Sequence, residues 1–218
     1  MALGPLTVAT LQLEAATFAA LESMHPEPSL FGVTDGKAVG TYLEHKFRAT
    51  LLQKYVFAVG SSAKGIDFPD LDVDLKVTNI RQPQSSCPFK HVRQKIYGLG
   101  YSVLIFVYDK RDEPQTQTAT LDILHVIFVE KHRTGDFQMT RGLREILDNQ
   151  GNKDDLMAFM FDRNLPFDDL TASQLADELL ESHPEQGYLT ISNALQWRLQ
   201  YGRVIANAGA IVGILRVV

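Results

Sequence analysis

The sequence predicts an α/β fold: a central mixed β-sheet flanked by helices, with a mainly helical C-terminal part. Three observations carry this expectation. Apolar residues recur at helical spacing before Lys54, β-rich runs separated by short loops fill Leu71 to Glu130, and the helical period returns from Thr140 onward.

Leu11, Phe18 and Leu21 place a first helix over Thr10 to Met24, and His25-Pro26-Glu27-Pro28 stops it. Val39, Leu43, Phe47 and Leu51 set a second helix over Lys37 to Lys54, with Glu44 beside its apolar face. Tyr55 to Val59 reads as a strand running into the turn Gly60 to Gly65. Leu71 to Ile80 alternates, with Leu71, Val73, Leu75 and Val77 opposite Asp72, Asp74, Lys76 and Thr78, which predicts a half-buried strand. A Pro/Ser/Gln loop spans Gln82 to Phe89, and a short helix over His91 to Leu99 ends at Gly98 and Gly100. Tyr101 to Tyr108 is almost continuously apolar, as a central strand covered on both faces would be. Leu121 to Glu130 is its hairpin partner across a polar loop. Beyond Thr140, helical segments are broken at Pro166 and Pro184, and Tyr188 to Gln200 reads as a further capped helix. The division into a core over 1–139 and a helical part over 140–218 rests on this change of period, with one compact domain as the alternative.

A chain of 218 residues, 45% hydrophobic, can bury a substantial core without oligomerising. Its start lacks a basic segment followed by an apolar one, and no stretch reaches the roughly 20 apolar residues that span a bilayer, so a cytoplasmic protein without membrane contact is expected. The lone Cys87 excludes an internal disulfide and a cysteine-rich zinc site. The net charge of −5 speaks against nucleic acid, but its distribution does not. Lys76, Arg81, Lys90, Arg93, Lys95, Lys110 and Arg111 face only Asp109 between them, which allows a local basic surface.

The segment Asp67-Phe68-Pro69-Asp70-Leu71-Asp72-Val73-Asp74-Leu75-Lys76 carries the chemistry. Residues two apart on a strand point the same way, so Asp74 and Lys76 share a face beside whatever Asp67 reaches. Carboxylates are the hard oxygen ligands Mg²⁺ prefers, and a lysine beside them can orient a bound water. The bland reading is a solvated strand face. Against it, crowding four aspartates on a β-segment costs repulsion that a cation would offset.

This run resembles the active-site strand of the PD-(D/E)xK nucleases, especially their MutH-like mismatch-repair and restriction branch. There an aspartate, six intervening residues and an acid-x-Lys-Thr-like sequence recur; Asp67, Asp74 and Lys76 keep that spacing. The sequence departs in having Asp74 where glutamate is usual and Val77 before Thr78. Gly40 to Glu44 is similar to the family's Gly-x-x-x-Glu helix. The resemblance covers about residues 37 to 130 and implies a restriction-endonuclease-like core. It further implies Mg²⁺ held by Asp67, Asp74 and Glu44, a water positioned by Lys76, and hydrolysis of double-stranded DNA to 5′-phosphates. A homodimer would match the two-fold symmetry of a palindromic site.

Contacts to DNA are expected from the loop residues Arg81, Gln82, Gln84, Ser85 and Ser86, since Arg pairs with guanine and Gln with adenine. Lys90, Arg93 and Lys95 offer a phosphate-binding face, and Asn193, Gln196 and Arg198 are base-reading types near the C-terminus. Each also has a plain reading as a polar surface residue. Two rival functions remain open. Gly60-Ser61 followed by Asp72-Val73-Asp74 resembles a polymerase-β-like nucleotidyltransferase, in which Lys76 is incidental. A non-catalytic DNA-binding module would use the basic segment and leave the carboxylates structural.

Overall fold

A long antiparallel hairpin organises the fold of the computed structural model, which describes residues 3–60, 65–87, 90–192 and 197–218, with the Trp197 side chain excepted. In chain order the elements begin with β1 (Gly4–Pro5), α1 (Val8–Glu22), β2 (Pro26–Glu27), α2 (Gly36–Leu52), β3 (Tyr55–Val56), β4 (Val73–Asn79) and β5 (Gln84–Cys87). Next come α3 (Arg93–Tyr97), β6 (Ser102–Glu113), β7 (Thr118–Val129), α4 (Phe137–Asp148), α5 (Lys153–Asp162) and α6 (Asp169–Glu181). The last are β8 (Thr190–Ile191), β9 (Trp197–Gln200), α7 (Gly202–Asn207) and β10 (Ile214–Arg216). The α/β class with a mixed sheet flanked by helices is as expected. No described helix is long and apolar enough to cross a membrane.

The chain forms two units, one comprising Met1–Ser85, Val103–Val129 and Asn207–Val218, the other Ser86–Ser102 and Glu130–Ala206. In the first, the sheet runs β10-β7-β6-β4, and β2 pairs with β7. Val103 to Tyr108 on β6 are all buried, as a strand covered on both faces requires. α1 packs on β7 and α2 on β4. Thr7 caps α1 with a reciprocal capping box, and the Asp35 carboxylate caps α2 by accepting from the backbone N–H groups of Lys37 and Ala38. Val39, Leu43, Phe47 and Leu51 form the buried stripe of α2. Phe18, Phe47 and Phe106 meet in a triangle with ring centroids 5.1, 5.8 and 5.2 Å apart, fixing α1 and α2 over the sheet.

In the second unit, Val92, Ile96, Met139, Leu143, Leu156, Met160, Leu175 and Leu179 form a separate core among α3 to α6. Asp136 caps α4 through Met139 N–H at 2.8 Å, while its other oxygen accepts from Ile191 N–H at 2.7 Å.

Four expectations need correction. β4 is not half-exposed, because Asp74 and Thr78 are buried along with Val73 and Leu75. Only Asp74 of the four aspartates lies on that strand. Residues 84–87, expected in a loop, form β5 in a three-stranded sheet ordered β5-β9-β8. The described part of Tyr188 to Gln200 is not helical: β8 and β9 pair antiparallel, with Thr190 opposite Gln200. Lys95 is buried rather than part of a solvated basic face.

Candidate active site

Asp67 and Asp74 are brought together by a tight reversal between them. Phe68 and Val73 form an antiparallel bridge, with N–H···O distances of 2.9 and 3.2 Å in the two directions. Pro69 opens the 3₁₀ turn inside the bridge, and Asp72 closes it in the left-handed region at φ 51°. Aspartate tolerates that conformation better than most residues. The six intervening residues are thus folded away, and Asp67 lies alongside the start of β4. Its Oδ2 accepts from Leu75 N–H at 3.0 Å.

Gly60 donates its N–H to the Asp67 carbonyl at 3.0 Å. A Cβ there would stand 1.9 Å from the Ile66 carbonyl oxygen, so only glycine permits the approach. Asp70 accepts from Ala58 N–H at 2.8 Å, fastening the same segment from the other side.

On β4, Lys76 Nζ lies 2.6 Å from Asp74 Oδ2, with both side chains largely buried. The Lys76 ammonium and the Asp74 carboxylate thus form a close, buried ion pair. α2 supplies Glu44 and, one turn later, Arg48, whose Nη2 lies 2.6 Å from Asp67 Oδ1. Three carboxyls and two cations therefore share one site in the first unit. Sequence reasoning missed Arg48; its i+4 spacing from Glu44 was the available signal.

The excess of acid shows in the titration of the group. Burial, aided by the charges of Asp67 and Asp74 and opposed by Lys76 and Arg48, pushes the Glu44 carboxyl up to about 7. Burial likewise raises Asp74, with Lys76 opposing and Asp67 adding to the rise. Burial disfavours the charge on Lys76, but Asp74, Asp67 and Glu44 outweigh it and raise its pKa.

Among the described residues, no three acidic, histidine or cysteine side chains stand as a ready-made metal cage. Mg²⁺ does not need one, since it commonly takes one or two carboxylates and fills its shell with water and substrate phosphate. The buried Asp74 carboxyl, beside Asp67 and Glu44 in an acid-rich group, is an oxygen donor of the hard type that use needs.

The expected DNA-contact residues are placed unevenly. Arg81 and Gln82 are exposed at the end of β4, with Arg81 3.4 Å from Asp109. Gln84 and Ser85 are half-buried on β5, where Gln84 N–H donates to Thr78 Oγ1 at 2.9 Å, and Ser86 is exposed. In the second unit, Lys90 and Arg198 are exposed, and the exposed Arg93 is paired with Glu178. Asn193, Gln196 and Ser61 lie outside the described residues. The Asp72/Asp74 pair of the nucleotidyltransferase reading is split: Asp72 is exposed in the turn, while Asp74 is buried on the strand.

Comparison with known proteins decides among the readings at the level of family. The family model described as type II restriction enzyme NspV matches residues 5–216. The chain belongs to that family. It is 68% identical over 212 residues to the type II restriction enzyme NspV of Nostoc sp. (strain ATCC 29411 / PCC 7524), covering 97% of this chain and 96% of the relative. No solved structure matches. The NspV-family match spans residues from both units, so the fastened Asp67 segment, β4 and α2 all belong to the restriction-enzyme sequence.

Proposed function

We propose that this type II restriction enzyme is a Mg²⁺-dependent endonuclease of the PD-(D/E)xK kind, resembling the MutH-like branch, that cuts double-stranded DNA at a specific sequence and leaves 5′-phosphates. The observation that carries this reading is the convergence of Glu44, Asp67, Asp74 and Lys76 on one site in a chain of a restriction-enzyme family. Asp67 and Asp74 would hold the ion, with Glu44 completing the acidic rim. The bound ion would supply Lewis-acid stabilisation of the phosphate and a more acidic water.

The protein's own part is positional. The bridge at Phe68 and Val73 and the Leu75 N–H hold Asp67 at a set orientation. Lys76, anchored by Asp74, presents an ammonium that orients the attacking water and balances the charge of the pentavalent phosphorus. Arg81 and Gln82, exposed where β4 ends, would meet the DNA beside the cut. Acting in the cytoplasm as a homodimer, two such sites would cut both strands of a palindrome.

The test is incubation of the purified protein with unmethylated phage DNA, with Mg²⁺ or with EDTA, followed by electrophoresis and end sequencing. Discrete fragments formed only with Mg²⁺, whose ends a ligase rejoins without prior phosphorylation, are expected. Intact DNA at high enzyme excess, or ends that need a kinase before ligation, would sink the proposal. Sedimentation of the cleavage-competent protein tests the dimer.

A further inference from the structure

Arg48 has no place in the scheme above, yet it reaches into the same site. Its side chain is about one-fifth exposed, and its Nη2 donates to Asp67 Oδ1 at 2.6 Å. Its Nε is buried and has no hydrogen-bond partner. In a guanidinium, Nε and Nη2 lie on one edge and form the fork that grips two oxygens at once. At Arg48 only one prong of that fork is used. Asp67 turns its second oxygen to Leu75 N–H instead, at 3.0 Å. A buried charged donor left open costs free energy unless something else takes the bond.

Orientation of Asp67 does not require Arg48, because the Leu75 N–H and the Phe68–Val73 bridge already hold that residue. What the open prong fits is an anionic oxygen beside Asp67, which is where an ion held by Asp67 and Asp74 would bring a phosphate.

We propose that Arg48 is a substrate-binding residue whose half-used guanidinium fork closes on a non-bridging oxygen of the scissile phosphate. This rests on the nuclease reading of the site. Arg48 stays bonded to Asp67 through Nη2 and offers Nε to the phosphate, so one side chain couples the acidic ligand to the substrate.

The experiment is equilibrium binding to a duplex carrying the mapped cleavage site, with Ca²⁺ in place of Mg²⁺, over a salt series. The proteins compared are wild type, Arg48→Met and Arg48→Lys, each checked by thermal unfolding. Arg48→Met keeps the apolar stem and should bind about 10–100-fold more weakly. Its slope of log affinity against log salt should be shallower by about 0.9, the signature of one lost phosphate contact. Arg48→Lys keeps the charge, so it should retain the salt slope and lose less affinity. A duplex with an uncharged methylphosphonate at the scissile position should erase most of the difference between wild type and Arg48→Met.

An unchanged salt slope in Arg48→Met, or a difference that persists on the methylphosphonate duplex, would overturn the assignment and leave Arg48 as a structural partner of Asp67. Should wild type itself show no Mg²⁺-dependent cleavage, the nuclease reading fails first and the assignment falls with it. If Arg48→Met does not fold, Arg48→Lys against the two duplexes decides alone: equal affinity loss on both would overturn it.

Discussion

Lys76 Nζ sits 2.6 Å from Asp74 Oδ2 on the same buried face of β4, so neither charge can be removed without altering the other. Asp74→Ala leaves an ammonium among the remaining carboxyls. Lys76→Ala leaves a buried carboxyl whose pKa already lies above its usual range and which then takes up a proton. Each substitution is expected to reduce the cleavage rate by at least ~100-fold, the scale of a lost positioned acid–base group. Circular dichroism should remain native-like. Near-normal cleavage by Lys76→Ala would contradict the role given to Lys76.

Glu44 makes the metal-free protein pH-sensitive. Its carboxyl is raised from an ordinary 4.5 to about 7 in the fold, so between those values the folded chain holds a proton that the unfolded chain has released. By linkage, stability falls as pH rises through that window and changes no further above it. Glu44→Gln should make this segment of the stability–pH curve less steep, the remaining slope coming from the raised Asp74, measured by urea unfolding in EDTA. Added Mg²⁺ should move the Glu44 titration to lower pH, as seen by carboxyl NMR; an unmoved midpoint would place Glu44 away from the ion.

Thr78 is buried at the end of β4, where its hydroxyl accepts from Gln84 N–H at 2.9 Å and lies 3.3 and 3.2 Å from the carbonyls of Gln82 and Gln84. Thr78→Val keeps the shape and removes every one of these bonds. Gln84 N–H keeps its 2.8 Å bond to the Gln82 carbonyl, so a loss of about 0.5–1.5 kcal/mol is expected. Because the same hydroxyl pins the turn bearing Arg81 and Gln82, relaxed cleavage specificity on a panel of one-base variants should accompany it. Unchanged stability in chemical denaturation would refute the role.

Arg81 is more than three-quarters exposed and only loosely paired with Asp109. Such a contact contributes little to folding. Arg81→Ala should leave the melting temperature unaltered while weakening DNA binding. A uniform loss across sequences, with a shallower salt slope, would mean a phosphate contact; a loss confined to one base position would mean base readout.

The layout of the sheet and its helices was legible because the periods were clean, from the Val39–Leu51 stripe to the unbroken apolar run of β6. The grouping of Asp74 with Lys76 followed from strand alternation alone. How Asp67 reaches them did not, because the closing bridge joins Phe68 to Val73, two apolar residues with no mark of a turn partner. Arg48 was hidden for a similar reason: its i+4 spacing puts it on the face of Glu44 but gives no sign that it reaches Asp67. The misread segment did hold its signal. Leu189 and Ile191, then Leu199 and Tyr201, are buried two residues apart, the period of a strand.

The interleaving of the two units has a bearing on how the molecule is made. β10 pairs with β7 from Ile214↔Val129 to Arg216↔Ile127, and the backbone of Val126 bonds with Val217 and Val218 as well. Every residue of the second unit leaves the ribosome before that strand does. A nascent chain can therefore carry Asp67, Asp74 and Lys76 for most of its synthesis with one edge of the central sheet still open. Until residues 214–216 emerge, β7 lacks the partner on its side away from β6, and the sheet that carries the site is one strand short.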